Sequence, residues 1–155
     1  MVVWRLCHPA FAASAMTGTG SALTQGRWHR KGTHMVYTAS SIALAMLEIL
    51  VQSSDVPFPV AVIRVDVPDD LIQDVDAATL PQGWDRDRRH AQPVGMAWFT
   101  SRDSVGLRVP SVVIPLENNL LLNPEHPAFS RVRHEWVDLL DIDARLRGAR
   151  QTLLT

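Results

Sequence analysis

Cysteine is nearly absent. Cys7 stands alone in 155 residues, which excludes an internal disulfide and a structural zinc site of the multi-cysteine kind. The six histidines form no HxxxH pair, so no metal is expected. Lysine is as scarce, since fourteen of the fifteen basic residues are arginine and only Lys31 is lysine. Codon bias in a GC-rich genome explains that imbalance more readily than phosphate binding, so each arginine is judged by its place. Net charge is −1, which gives no bulk attraction to nucleic acid or to an anionic membrane. Neither is expected as a partner. The longest apolar run, residues 42–51, is broken by Glu48 and too short to span a bilayer. Residues 17–26 (TGTGSALTQG) are rich in Gly, Ser and Thr but match neither GxGxxG nor the GK[ST] ending of a phosphate loop. A flexible connection is the favoured reading there, with the border of a ligand site as the alternative. Residues 10–15 look like a cleavage region, yet Arg5 and Pro9 stand where a secretion signal needs an apolar run. A cytoplasmic protein is expected.

The length suits a single domain over residues 1–155, with 46% hydrophobic and 20% charged residues, as in globular chains. Residues 1–6 are β-prone and 8–15 suit a short helix or turn. A short strand over 34–38 leads into a helix over 42–51. Residues 60–67 alternate as a strand, 69–80 carry a short helical turn, and the charged run 81–89 reads as a solvated loop. Residues 93–101 suggest a helical turn passing into an irregular segment. A strand over 104–115 is broken by Pro110, and Ser111 follows the break. The asparagines make 117–127 turn-rich, 136–142 looks like the last strand, and 143–150 is a polar end. The order predicts an α+β fold on an antiparallel or mixed sheet with a few helices.

Glu48 is the one polar residue between Ile42 and Val51. A helix that is apolar all round is buried, with Ser40 or Ser41 as its N-cap. A carboxylate there is costly unless it is paired or lies in a cleft. An edge position or a structural ion pair is the plain explanation, and a pocket is the other. Arg27, Arg30 and Lys31 precede it, joined through the strand that carries Tyr37. A cationic loop, that strand and this helix can converge on one pocket. Arg5, Ser111 and Asn119 complete the candidate set, although each alone also has a structural explanation.

Taken in order, the set resembles a known family. GRWHRKGTHMVYTASSIALAMLEIL is similar to the signature of the RES domain, and VPSVVIPLENNLLLNPEHPAF to its second motif. The match runs from Arg5 to about residue 146. One departure is His29, where many relatives carry Asn after the Arg-Trp pair. The resemblance implies an ADP-ribosyltransferase-like fold and a toxin of a bacterial toxin–antitoxin pair, with an Xre-type antitoxin covering the active site. It implies action on NAD+ as substrate, with Glu48, Arg27 and Tyr37 as catalytic residues and Arg5, Arg27, Tyr37, Ser111 and Asn119 as binding residues.

The residue types suit that chemistry. Nicotinamide leaves NAD+ as a neutral molecule, so the reaction needs no general acid for its departure. It needs charge stabilisation of an oxocarbenium-like ribose, which a carboxylate such as Glu48 supplies. Arginine forks suit a pyrophosphate, Tyr37 offers a face to the nicotinamide ring, and Ser111 a hydroxyl to its amide or to the ribose. A binding module without activity and a nicotinamide dehydrogenase are the rival classes, and the second lacks its glycine fingerprint. Water or inorganic phosphate is expected as the ADP-ribose acceptor, ahead of a specific cellular protein modified by mono-ADP-ribosylation.

Overall fold

Three successive leucines, Leu120, Leu121 and Leu122, are all fully buried, which requires a strand covered on both faces. The computed structural model, which describes residues 1–53, 55–56 and 58–148, places that strand inside a seven-stranded sheet. The strands are β1 (Val2–Cys7), β2 (Val36–Ala39), β3 (Val60–Asp66), β4 (Ile72–Asp74), β5 (Gly106–Pro110), β6 (Asn118–Leu122) and β7 (Arg133–Leu140). Their order is β4-β5-β6-β2-β1-β3-β7, parallel only between β4 and β5. The helices are α1 (Thr19–Ala22), α2 (Ile42–Gln52), α3 (Arg88–Ser101) and α4 (Ala144–Gly148). The α+β class with a mixed sheet is as expected.

Strand alternation sorts the core onto two faces. On one face Val3, Val36, Ile63, Val65, Leu120 and Leu122 pack under Ala15, Met16, Leu71 and Val132. The opposite face carries two clusters side by side. Leu44, Ala45 and Met46 of α2 cover Leu6, Ala39, Val60 and Val62. Ala91, Trp98 and Phe99 of α3, with Trp28 and Met35, cover Leu107, Val109 and Leu121. Tyr37 packs with the α3 cluster and Ala39 with the α2 cluster, so β2 runs beneath the seam between them.

Several sequence expectations need correction. Ser41 is the N-cap of α2, accepting from the Leu44 N–H at 3.0 Å, but the helix is not buried all round. It lies on one sheet face, so only Leu44, Ala45 and Met46 are buried, while Val51 is 48% exposed. The irregular segment expected at 93–101 belongs to the 14-residue helix α3, capped by Asp87, whose carboxylate accepts from the Arg89 N–H at 2.9 Å. Pro93 removes one donor from its exposed side. Burial of Ala91, Gly95, Trp98 and Phe99, a helical stripe, outweighs that loss. The flexible connection at 17–26 holds the short helix α1, while the acidic 69–80 segment carries the expected helical turns at Asp69–Leu71 and Ala77–Thr79, with β4 between them. Turn-rich 117–127 contains β6, because packing of its leucines overrides the asparagine signal. The strand at 104–115 ends at Pro110, and the last strand starts earlier than expected, where Arg133 pairs with Asp66. The polar end extends to 150, and its last two residues lie outside the described residues. Among the described residues no helix is long and apolar enough to cross a membrane.

Gly95 lies directly under Trp28, where a Cβ would fall on the Trp28 carbonyl oxygen. Gly20, in α1, has open space around the same position. Gly95→Ala is expected to cost about 1–3 kcal/mol by overpacking. Gly20→Ala is expected to be neutral or to stabilise by about 0.4–1 kcal/mol. Urea unfolding of the two variants checks the contrast.

Candidate active site

With Ser41 as cap, Glu48 falls two turns along α2, above the seam between the two clusters. Two residues distant in sequence converge on one of its oxygens. Ser111 Oγ donates to Glu48 Oε1 at 2.8 Å, and Asn119 Nδ2 donates to the same atom at 2.6 Å. A carboxylate only accepts, so the amide must turn its nitrogen towards it. Asn119 reaches that place because β6 pairs it with Ala39 of β2 and Val109 of β5. Ser111 is fixed by the loop after β5. Its hydroxyl accepts from the N–H groups of Val113 and Ile114, both at 3.1 Å, and its own N–H donates to Glu117 O at 2.9 Å. One donated and two accepted bonds use the whole capacity of a hydroxyl. Ser111 therefore holds Glu48, rather than offering a free hydroxyl to substrate as the sequence suggested. Among the described residues no hydrogen bond engages Glu48 Oε2.

Tyr37 lies on the same sheet face as Asn119, two residues from its partner Ala39. Its backbone oxygen accepts from Arg5 Nη1 at 3.0 Å, where β1 and β2 run side by side. Among the described residues Arg5 Nε is buried without a hydrogen-bond partner, and burial holds the guanidinium below its usual pKa. The Tyr37 phenol accepts from the Trp28 N–H at 3.2 Å and lies 2.7 Å from His29 Nδ1. His29 Nε2 is 2.8 Å from Ser21 O, which can only accept, so Nε2 carries the proton. With Nε2 protonated, Nδ1 is placed to accept from the Tyr37 hydroxyl. Burial pushes the phenol well above its ordinary pKa, against the Trp28 N–H and the Arg27 charge, which lower it. Tyr37 is a neutral donor at physiological pH.

Arg27 is half-buried, and its Nη1 donates to Trp84 O at 2.8 Å. The Trp28 and Trp84 rings lie 5.5 Å apart. The loop at 81–89, expected to be wholly solvated, is thus docked through Trp84, while Arg86, Arg88 and Arg89 remain exposed. Among the described residues neither Arg5 nor Arg27 has a carboxylate partner. Glu48, Ser111 and Asn119 form one bonded group, and Arg5 and Tyr37 another. Arg27 joins the second group through its charge. Sequence reasoning passed over Gln92, whose Nε2 donates to Gly26 O at 2.9 Å, and gave Trp84 no structural part. The helical spacing of Ala91, Gly95 and Trp98 was the available signal for α3, and nothing marked Gln92 within it.

The RES domain family matches residues 2–146, nearly the whole described chain. The chain belongs to the RES domain family. It is 38% identical over 157 residues to a protein named Toxin Res from Photorhabdus laumondii, covering 97% of this chain and all of that one. It is 39% identical over 133 residues to a Sphingobium protein named Prs ADP-ribosylating toxin, covering 80% of this chain and 83% of the other. A crystal structure of the M. tuberculosis MbcT-MbcA toxin-antitoxin complex contains a chain with a TM-score of 0.71 and 18% identity, covering 97% of this chain and 88% of that one. That likeness shows the shared fold.

Asn119→Asp would set a second carboxyl against Glu48 Oε1, where the amide now sits at 2.6 Å. Like charges raise the folded-state pKa of such a pair, so the variant's stability deficit should grow as pH rises. Urea unfolding is expected to show a small deficit near about pH 5 and a larger one near about pH 8. Equal deficits would mean that the two groups are not in contact.

Proposed function

We propose that this RES domain protein is a toxin that cleaves the nicotinamide–ribose bond of NAD+, restrained by an Xre-type antitoxin that covers its site. The observation that carries this reading is the state of Glu48. One carboxylate oxygen is gripped by Ser111 and Asn119, and the other is left without a protein partner among the described residues. A carboxylate oriented in this way is preorganised for a positive centre that appears only in the transition state. Arg5 and Arg27, cations without acidic partners among the described residues, supply the complementary element and suit the pyrophosphate of the substrate.

The bond from ribose C1′ to the nicotinamide nitrogen breaks with its electron pair moving to the ring. That neutralises the pyridinium charge and leaves cationic character on the ribose. Glu48 stabilises that cation and accepts a hydrogen bond from a ribose hydroxyl. Ser111 and Asn119 keep the carboxylate in place while charge develops. The Tyr37 ring faces the nicotinamide, its hydroxyl being committed to His29 and Trp28. An oxygen nucleophile then bonds to C1′ and gives up its proton to bulk water.

Water or inorganic phosphate is the acceptor in this reading. The net charge near zero supplies no long-range docking field, and phosphate is drawn to the arginines that hold the pyrophosphate. Transfer to a protein is the second reading, favoured by the name of the Sphingobium relative, Prs ADP-ribosylating toxin. The docking of Trp84 against Trp28 withdraws one aromatic side chain that a protein target would otherwise meet.

Glu48→Gln is expected to retain the fold and to lower NAD+ turnover by about 10²–10³, the usual effect of losing one electrostatic stabiliser. Wild-type turnover in that variant would remove Glu48 from the centre of the reaction. The acceptor is tested with NAD+ labelled in its adenylate portion, given to the purified protein with and without phosphate, and to a cell lysate. Rapid turnover in buffer without a labelled protein band is expected. Label on one band, with little turnover in buffer, would establish the protein acceptor instead.

A further inference from the structure

We infer that Gln92 is a positioning residue for Arg27, clamping the turn of residues 26–29 from α3 so that the guanidinium is presented to the pyrophosphate. The inference rests on the NAD+ reading above and extends it to a residue that touches no substrate. The Gln92 side chain is buried and directs one nitrogen at the turn. Nε2 lies 2.9 Å from Gly26 O, 3.2 Å from His29 O and 3.3 Å from Gln25 Oε1. The Gly26 N–H donates to His29 O at 3.1 Å, so the carbonyl groups at the two ends of the turn are gathered on one amide. A side-chain amide with two N–H groups suits that double demand.

The remaining sides of the turn are also fixed. The Trp28 N–H is held by the Tyr37 hydroxyl, and His29 spans from that hydroxyl to Ser21 O. Gly26 carries no side chain because a Cβ would come within 2.7 Å of the His29 ring and 2.8 Å of the Tyr37 hydroxyl. Trp28 and His29 are buried, so Arg27 is the side chain among residues 27–29 that reaches towards the surface. Gln92 donates to the backbone on both sides of it. Loss of Gln92 takes the amide donor from the part-buried Gly26 carbonyl and one of two donors from the buried His29 carbonyl, and the turn must shift to satisfy them. Arg27 then moves relative to Glu48, which is held independently by Ser111 and Asn119. Substrate grip should suffer while the chemistry at C1′ survives.

Gln92→Met keeps the length of the side chain and removes its donors. The expected result is a KM for NAD+ raised about tenfold, with kcat within about threefold of wild type. In an Arg27→Ala background the same change should have little further effect, because the residue it positions is gone. Kd for NAD+ by calorimetry replaces KM where turnover is too slow to measure. Circular dichroism and thermal melting establish that the variant is folded. If Gln92→Met does not fold, Gln92→Asn, which keeps the amide on a shorter stem, carries the same test with a smaller shift. A folded Gln92 variant with wild-type KM would overturn the assignment. So would an undiminished Gln92 effect in the Arg27→Ala background. No NAD+ turnover by the wild-type protein, in buffer or with added cell lysate, would overturn the functional reading, and this inference with it.

Discussion

A carboxylate held from two sides ties the candidate site to the fold. Glu48 comes from α2, Ser111 from the loop after β5, and Asn119 from β6. Hydrogen bonds to a charged group contribute about 1.5–3 kcal/mol each, enough to offset part of the cost of lifting Glu48 out of water. Those bonds close the seam between the α2 and α3 clusters. Their shared acceptor means that a change at Ser111 or Asn119 acts on the same oxygen, so the three residues form one coupled unit.

A second constraint acts on two arginines. Arg5 and Arg27 are held by backbone carbonyls, Tyr37 O and Trp84 O, rather than by carboxylates. A carbonyl orients a guanidinium without neutralising it, so each retains a full charge for an incoming anion. The arrangement is costly, since among the described residues an Arg5 nitrogen is buried without a hydrogen-bond partner. That cost is of the kind stored at binding sites, where stability is exchanged for preorganisation.

Glu48 was legible in the sequence because a lone charge in an apolar run departs from its surroundings. Arg27, Tyr37, Ser111 and Asn119 were legible through motif order, though not in their contacts. That Ser111 spends its hydroxyl on Glu48 and two loop amides depends on tertiary geometry, which the spacing of residues does not encode. Pro93 hid α3, because a proline inside a helix argues against it until the packing of Trp98 and Phe99 is known. The surrounding charges hid Trp84. Gln92 was invisible for a different reason: a glutamine is ordinarily a surface residue, and its burial under the 26–29 turn follows from how α3 docks.

The central claim is that Glu48, Arg5 and Arg27 act together on NAD+. The most direct test is proton NMR of NAD+ incubated with the purified protein in phosphate buffer, followed over time. The account predicts that free nicotinamide signals grow as the anomeric proton of the nicotinamide ribose disappears, in equal amounts. An unchanged NAD+ spectrum after prolonged incubation of folded protein, with and without added cell lysate, would contradict it.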